Sequence, residues 1–316
     1  MAAPGRVIPD WHERARRWLR DLFPASRTFD IRTHRERTWA TNWRISVDDG
    51  DFWFKRGHPS LSQEASLLGV LRQVAPEQVL LPFAVDVAEG WILTRDQGPT
   101  LAAIAREEGP HHYCDTSVAL AVTQQAAAQS MGELARLGLP RFEPVRAVAL
   151  LDEMLAWFQA LPSSNPSHVS LPVRRTSTTA ASTLVDRWVA VASREPGIGL
   201  DHNDLHLGNV FPGPLISDWG DAVLGHPFSS LRPVVFATRK VFGEEAAALV
   251  RVTYLEQWGD PVALQETLEV AMQLAAVQRL YAWCRLGSPD LVAEYAEYVV
   301  PLVTELGRDI TALTSP

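Results

Sequence analysis

Asp201-His202-Asn203-Asp204-Leu205-His206-Leu207-Gly208-Asn209-Val210-Phe211 runs through Pro212-Gly213-Pro214 into Leu215-Ile216-Ser217-Asp218-Trp219-Gly220-Asp221-Ala222. It reads as a polar, acid-bearing loop, a short apolar strand, a tight turn, and a second apolar step ending in an acid. The Pro-Gly-Pro turn fixes a reversal, and a hairpin there brings Asp204, Asn209 and Asp218 to one end. Two carboxylates and a carboxamide together form an oxygen-rich site suited to a hard cation such as Mg²⁺. Phosphoryl transfer needs such a set: one acid to orient the attacking hydroxyl, and oxygen ligands for the metal on the phosphates.

His202-x-Asp204-x-x-x-x-Asn209 followed by Ile216-Ser217-Asp218-Trp219-Gly220-Asp221 resembles the catalytic and metal-binding loops of the aminoglycoside phosphotransferase and choline kinase group. These are small-molecule kinases on the protein-kinase fold. The resemblance covers most of the chain from about residue 29 and is strongest over 202–227. It implies that Asp204 is the catalytic base and that Asn209 and Asp218 bind Mg²⁺. An isolated Asp-x-x-x-x-Asn is also a common turn or cap pattern. His202, Asp204 and His206 alternate and share one face on a strand, which keeps open a metal-hydrolase ligand set.

Upstream residues favour the kinase reading. Lysine occurs only at Lys55 and Lys240 in a chain otherwise biased to arginine. Such rarity marks positions where a compact, flexible ammonium is wanted, and Lys55 sits where the chemistry would want it, whereas Lys240 reads as incidental. Asp48-Asp49-Gly50-Asp51 is a hairpin signal, and the strand after it, Phe52-Trp53-Phe54-Lys55, ends on the first lysine. Lys55 resembles the lysine that contacts the α- and β-phosphates, and Glu64, in a helical run nine residues on, resembles the glutamate that orients it. The glycine-rich phosphate loop is absent; Ala40-Thr41-Asn42 stands at the expected turn. Strands are expected over Val79–Val85 and Trp91–Thr94, then a hinge at Thr94-Arg95-Asp96-Gln97-Gly98-Pro99. The resemblance implies that adenine bonds the backbone of Thr94 and Asp96.

The expected fold is therefore α+β and two-lobed: an N-terminal helix over residues 1–28, a small antiparallel-sheet lobe over 29–97, and a helical lobe over 98–316. Residues 162–182, rich in Ser, Thr and Pro, read as a mobile loop or linker. Helices are expected at Ser117–Leu137, Val145–Leu161, Leu184–Ser193, Glu244–Trp258, Leu264–Cys284 and Asp290–Leu313, the last kinked or split at Pro301. Gly225-His226-Pro227 replaces the Gly-Asp-Pro of many relatives, and Ser230 falls where a later Asp is usual.

The 316 residues carry a net charge of −8. An acidic chain is a poor nucleic-acid binder, and no apolar run is long enough to span a membrane. Cys114 and Cys284 give no disulfide framework, and Met1–Pro9 lacks an apolar leader core, so a cytoplasmic enzyme is expected. The cofactors implied are ATP, or another nucleoside triphosphate, and Mg²⁺. Acidic residues stud the C-terminal region (Glu256, Asp260, Glu266, Glu269, Asp290, Glu294, Glu297), which suits a small hydroxylated, amine-bearing acceptor. Aminoglycoside-type antibiotics, amino sugars, choline-like amines and hydroxy amino acids all fit that description. A nucleotide-binding protein of the same fold without turnover is the alternative from another class.

Overall fold

A computed structural model describes residues 10–191 and 196–306. The first helix, α1 (Asp10–Leu22), repeats apolar residues every three to four positions, and a stripe of that spacing must be covered. It is covered by a five-stranded sheet of β1 (Phe29–Glu36), β2 (Ala40–Val47), β3 (Gly50–Gly57), β4 (Ala84–Asp86) and β5 (Trp91–Arg95), ordered β1-β2-β3-β5-β4 and antiparallel throughout. The two-residue alternation of strands sends Trp43, Ile45, Phe52, Phe54, Trp91 and Leu93 to the face under α1, where they bury with Ala15 and Leu19. The opposite face carries Asn42, Lys55 and Ile92 in one register row, with Arg44, Trp53 and Thr94 in the next.

α2 (Gln63–Val74) buries Ala65, Leu67, Leu68 and Leu71 in the larger core of the second lobe, so it serves both bodies. After it the chain departs from the expected strand over 79–85. Only its last residues join the sheet, as part of β4; Leu80 N–H donates to Ile216 C=O at 2.9 Å, and Ile216 N–H donates to Gln78 C=O at 2.8 Å. Residues 40–42 also differ from expectation. They lie inside β2, paired with Gly57, Arg56 and Lys55, and the reversal falls at 37–39, where Arg37 N–H meets Ala40 C=O at 2.8 Å. That turn reaches the second lobe: Arg37 Nη1 donates to the Tyr295 hydroxyl, and Trp39 lies edge-on to Tyr295 with centroids 5.3 Å apart.

The second lobe holds α3 (Leu101–Glu108), α4 (His111–Ala128), α5 (Met131–Arg136), α6 (Ala147–Ala160) and α7 (Leu171–Val191). Four short strands, β6 (Gly199–Asp201), β7 (Val210–Phe211), β8 (Leu215–Ile216) and β9 (Val223–Gly225), pair as β6–β9 and β7–β8. Then come α8 (Leu231–Phe242), α9 (Glu244–Glu256), α10 (Pro261–Cys284), α11 (Pro289–Glu294) and α12 (Ala296–Thr304). α10 is apolar nearly all round and runs through the core. No helix among the described residues is long and apolar enough to cross a membrane.

Three helical expectations need correction. The long helix over 117–137 is two, α4 and α5, broken near Ser130. The 162–182 loop is mostly helix: after turns, 171–191 forms the single rod α7. Its buried residues, Ser177, Ala181, Leu184, Trp188 and Val191, recur in alternating steps of four and three, a helical stripe that Ser/Thr-rich composition conceals. Thr178 and Thr179 turn their hydroxyls onto the carbonyls of Arg174 and Arg175, and Arg174 forks onto Asp152 of α6 at 2.8 Å. The C-terminal break falls at Tyr295, which stacks on Trp283 with centroids 5.4 Å apart, and Pro301 lies within α12. The expected helix ends at Ser193 and Leu313 lie outside the described residues.

Candidate active site

The β6–β9 and β7–β8 ribbons present two loops to the cleft between the lobes. His202, fully buried, ties them together: its Nδ1 accepts Asp204 N–H at 3.3 Å, so Nε2 bears the proton and donates to Ser217 C=O at 2.9 Å. Burial pushes its imidazole down to about 4, so it stays neutral. With both nitrogens engaged, His202 is unsuited to the metal-hydrolase ligand set. Among the described residues, the group of three His, Cys, Asp or Glu side chains within reach of one metal is Glu108, His111 and His112, on the surface.

Asn203 and Asp218 are the two non-glycine residues among those described with left-handed backbone, at φ 63° and 60°. Asn and Asp tolerate that region at about 1–2 kcal/mol each; the turn at Asn203 precedes Asp204, and the turn at Asp218 precedes Trp219, which enters the core. Lys55 Nζ lies 2.6 Å from Glu64 Oε2 and 2.5 Å from Asp218 Oδ1. Burial opposes the Lys55 charge, but the two carboxylates outweigh it and hold its pKa above the ordinary value. Burial also raises the Glu64 carboxyl against the pull of Lys55. At Asp218, whose side chain is 51% exposed, burial is overcome by Lys55 and the carboxyl is lowered. Gly220 permits this approach: a Cβ there stands 3.1 Å from Glu64 Oε2 and 3.5 Å from Lys55 Nζ.

Asp204 lies on the other side of the loop. Its Oδ1 is 2.8 Å from Arg279 Nη2 of α10, and Arg279 Nη1 donates to Asn203 C=O at 2.7 Å. Burial raises the Asp204 carboxyl to about 7, opposed by Arg279 and reinforced by the negative Asp221 and Asp218. Asn209 Nδ2 donates to Asp204 C=O at 3.0 Å, which orients the amide and leaves its oxygen for the cleft. Asp218 and Asn209 thus offer hard oxygen donors, a set that fits Mg²⁺.

Beneath the loop lies a buried polar network. Asp201, fully enclosed, accepts hydrogen bonds from Ser230 Oγ, Gln278 Nε2 and Asn203 N–H at 2.5, 2.5 and 2.7 Å. Ser230 Oγ in turn accepts His202 N–H at 3.0 Å. Ser230 thus links the buried Asp201 carboxylate to the backbone of the catalytic loop. Arg279 and this network were missed in the sequence reading; the signal was the polar pair Gln278-Arg279 inside the apolar run of α10.

A cavity of about 510 Å³ between the lobes is lined by Lys55, Glu64, Asn209 and Asp218 at one end and Thr94, Arg95 and Gly98 at the other, with Trp53 from above and Phe211 from below. At the hinge, Asp96 N–H donates to Asp51 C=O at 2.9 Å, while Phe83 N–H bonds Leu93 C=O. Antiparallel alternation then points the backbone of Thr94 and Asp96 into the sheet and that of Arg95 away from it. Thr94 faces the cavity through its side chain; Asp96 holds Gly98 N–H at 2.9 Å and the Arg44 guanidinium. A second cavity, about 350 Å³, opens beside Asp204. None of the acids between Glu256 and Glu297 that suggested an amine-bearing acceptor lines either one.

No family model matches the chain, and no curated protein sequence matches it. Solved structures do. The GDP and kanamycin complex of APH(2")-IIia superposes with a TM-score of 0.59 at 18% identity, over 91% of this chain and 97% of that one. Macrolide 2'-phosphotransferase type I gives 0.55 at 15% identity, over 95% and 98%. Choline kinase LicA from Streptococcus pneumoniae gives 0.61 at 10%, over 96% and 99%. Across nearly its whole length, the chain therefore has the protein-kinase-like fold of the aminoglycoside phosphotransferase and choline kinase structures.

Proposed function

We propose that the chain is an ATP- and Mg²⁺-dependent O-phosphotransferase for a hydroxyl group on a small molecule. The observation that carries this reading is the contact of Lys55 with both Glu64 and Asp218 across the interlobe cleft, with Asp204 on the adjoining loop. Lys55, braced by Glu64, neutralises charge on the nucleotide phosphates. Asp218 and Asn209 are the residues to hold Mg²⁺, which supplies further charge neutralisation at the phosphates when bound. Trp53 and Phe211 flank the flat base; Thr94 lines its pocket, and the backbone of Arg95 rather than that of Asp96 meets its edge. Asp204 orients the acceptor hydroxyl and accepts its proton as the new P–O bond forms and the bond to the leaving nucleoside diphosphate breaks. Arg279 holds the Asp204 carboxylate in place and favours its charged form. Catalysis of this kind rests on positioning and electrostatics.

The test is thermal denaturation with ATP or a non-hydrolysable analogue, with and without Mg²⁺, on wild type and Asp218→Ala. A ligand that binds only the folded state raises the melting temperature. The expected result is a Mg²⁺-dependent rise that the variant loses, with Asp204→Ala keeping the rise but losing turnover. No rise with any nucleoside triphosphate overturns the proposal.

A further inference from the structure

The cavity beside Asp204 has a charge opposite to that of the chain as a whole. One helical face of α8 lines it: Pro233, Phe236, Ala237, Lys240 and Val241, spaced i, i+3, i+4, i+7 and i+8. Across from this stripe stand His206 and the Asp204–Arg279 pair. His206 Nδ1 accepts Gly208 N–H at 3.0 Å, so its ring offers Nε2–H as a donor. The only carboxylate among the described residues of the wall is Asp204, already held by Arg279 at 2.8 Å. Lys240, the second of two lysines in the chain, has no ion-pair or hydrogen-bond partner among the described residues. A hydroxyl that reaches Asp204 on the side away from Asn209 and Asp218 must come from a molecule seated here. With Arg279 and Asp204 neutralising each other, an ammonium in that seat meets the charge of Lys240 with no further acid to offset it; an anion meets Lys240 and the neutral His206 donor.

We infer, resting on the kinase reading above, that the acceptor is a hydroxylated small molecule carrying an anionic group, carboxylate or phosphate, which Lys240 receives while the hydroxyl lies at Asp204. Pro233, Phe236, Ala237 and Val241 cover its apolar surface. The overall charge of −8 does not reach this cavity, whose own lining decides what it accepts.

The experiment uses the full chain saturated with a non-hydrolysable ATP analogue and Mg²⁺, titrated calorimetrically with four matched probes: gluconate, glucose 6-phosphate, glucose and glucosamine. At least one anionic probe is expected to bind about tenfold tighter than glucose, the scale of one hydrogen bond to a charged group, and glucosamine weakest. Which anion binds better distinguishes carboxylate from phosphate. Lys240→Glu, on an exposed helix position, is expected to erase that advantage and favour glucosamine, whereas Lys240→Arg keeps the wild-type order. The inference is overturned if glucosamine binds wild type as well as the anions do, if neither anion exceeds glucose, or if Lys240→Glu leaves the order unchanged. Failure of the nucleotide analogue itself to bind is a different result and defeats the kinase reading instead.

Discussion

Exchanging Asp201 and Ser230 is the sharpest test of how the catalytic loop is held. Ser230→Asp alone places a second carboxylate where the hydroxyl now sits 2.5 Å from Asp201 Oδ1. Two like charges about 4 Å apart at an effective dielectric near 20 repel by about 4 kcal/mol, less whatever protonation of one relieves. A loss of roughly 3–4 kcal/mol corresponds to a melting-temperature drop of about 5–6 °C in a chain of this size. Asp201→Ser added to Ser230→Asp restores one carboxylate and one hydroxyl with their places exchanged, and the acceptor for His202 N–H survives. The double variant therefore recovers most of the loss. It ends about 1–2 kcal/mol below wild type, because Gln278 and Asn203 meet different oxygens of the Asp201 carboxylate and the single oxygen of a serine at position 201 does not span both places. Thermal denaturation of the four proteins gives the coupling energy directly. If Ser230→Asp is as stable as wild type, or the double variant is no better than that single one, the two residues do not share one role and the network does not hold the loop in this way.

Two further outcomes follow from other contacts. Glu64→Gln keeps the shape of the Lys55 contact and removes its charge, so nucleotide affinity should fall about three- to tenfold while the fold persists, since Asp218 still holds Lys55; unchanged affinity in a direct nucleotide titration tells against the bracing role. Burial raises the Asp201 carboxyl from the ordinary 3.8 to about 6, so the folded state binds the proton more tightly than the unfolded one. Stability from this group is then fullest below about pH 4 and declines by of order 2–3 kcal/mol as pH rises to about 6. Asp201→Asn should flatten that slope in denaturation curves across the window; an unaltered slope refutes the assignment.

The fold was legible because its decisive features are local. The alternation of β2 and β3, the hairpin between them and the spacing from Asp204 to Asn209 to Asp218 are short-range patterns, and Lys55 and Glu64 are picked out by their resemblance to the lysine and helix glutamate of the small-molecule kinases. What escaped depends on long-range pairing or on pattern hidden by composition. Leu80 bonds to Ile216 rather than to the sheet, which no local propensity reveals. The buried stripe of α7 is carried in part by Ser177 and Ala181, residues that composition assigns to loops. At the hinge, strand register decides which backbone groups face the cavity, and a shift of one residue turns Asp96 away and Arg95 outward. Arg279 is marked only as half of a polar pair inside an apolar helix; its partner Asp204 lies far from it in sequence, so the contact itself is not readable. The acids of the last third draw attention by number, yet none lines the cavity beside Asp204, where Lys240 stands; its rarity marks it in the sequence, but its place beside Asp204 is set by the fold.

The cleft is fastened at both ends, and the fastenings differ in kind. At the rear, backbone bonds join residues 78 and 80 to Ile216, with Val79 and Ile216 fully enclosed and Asp218 only two residues beyond. At the front, the 37–39 turn meets Tyr295 and Trp283 through side chains alone. Buried backbone pairs are the costlier to break, so the assembly works as a purse with a sewn seam and a clasp. The seam lies two residues from Asp218, where Lys55 and Glu64 meet it. Any opening of the cleft is expected to part the ring contacts of Trp39 with Trp283 and Tyr295 before the backbone pairs at Ile216.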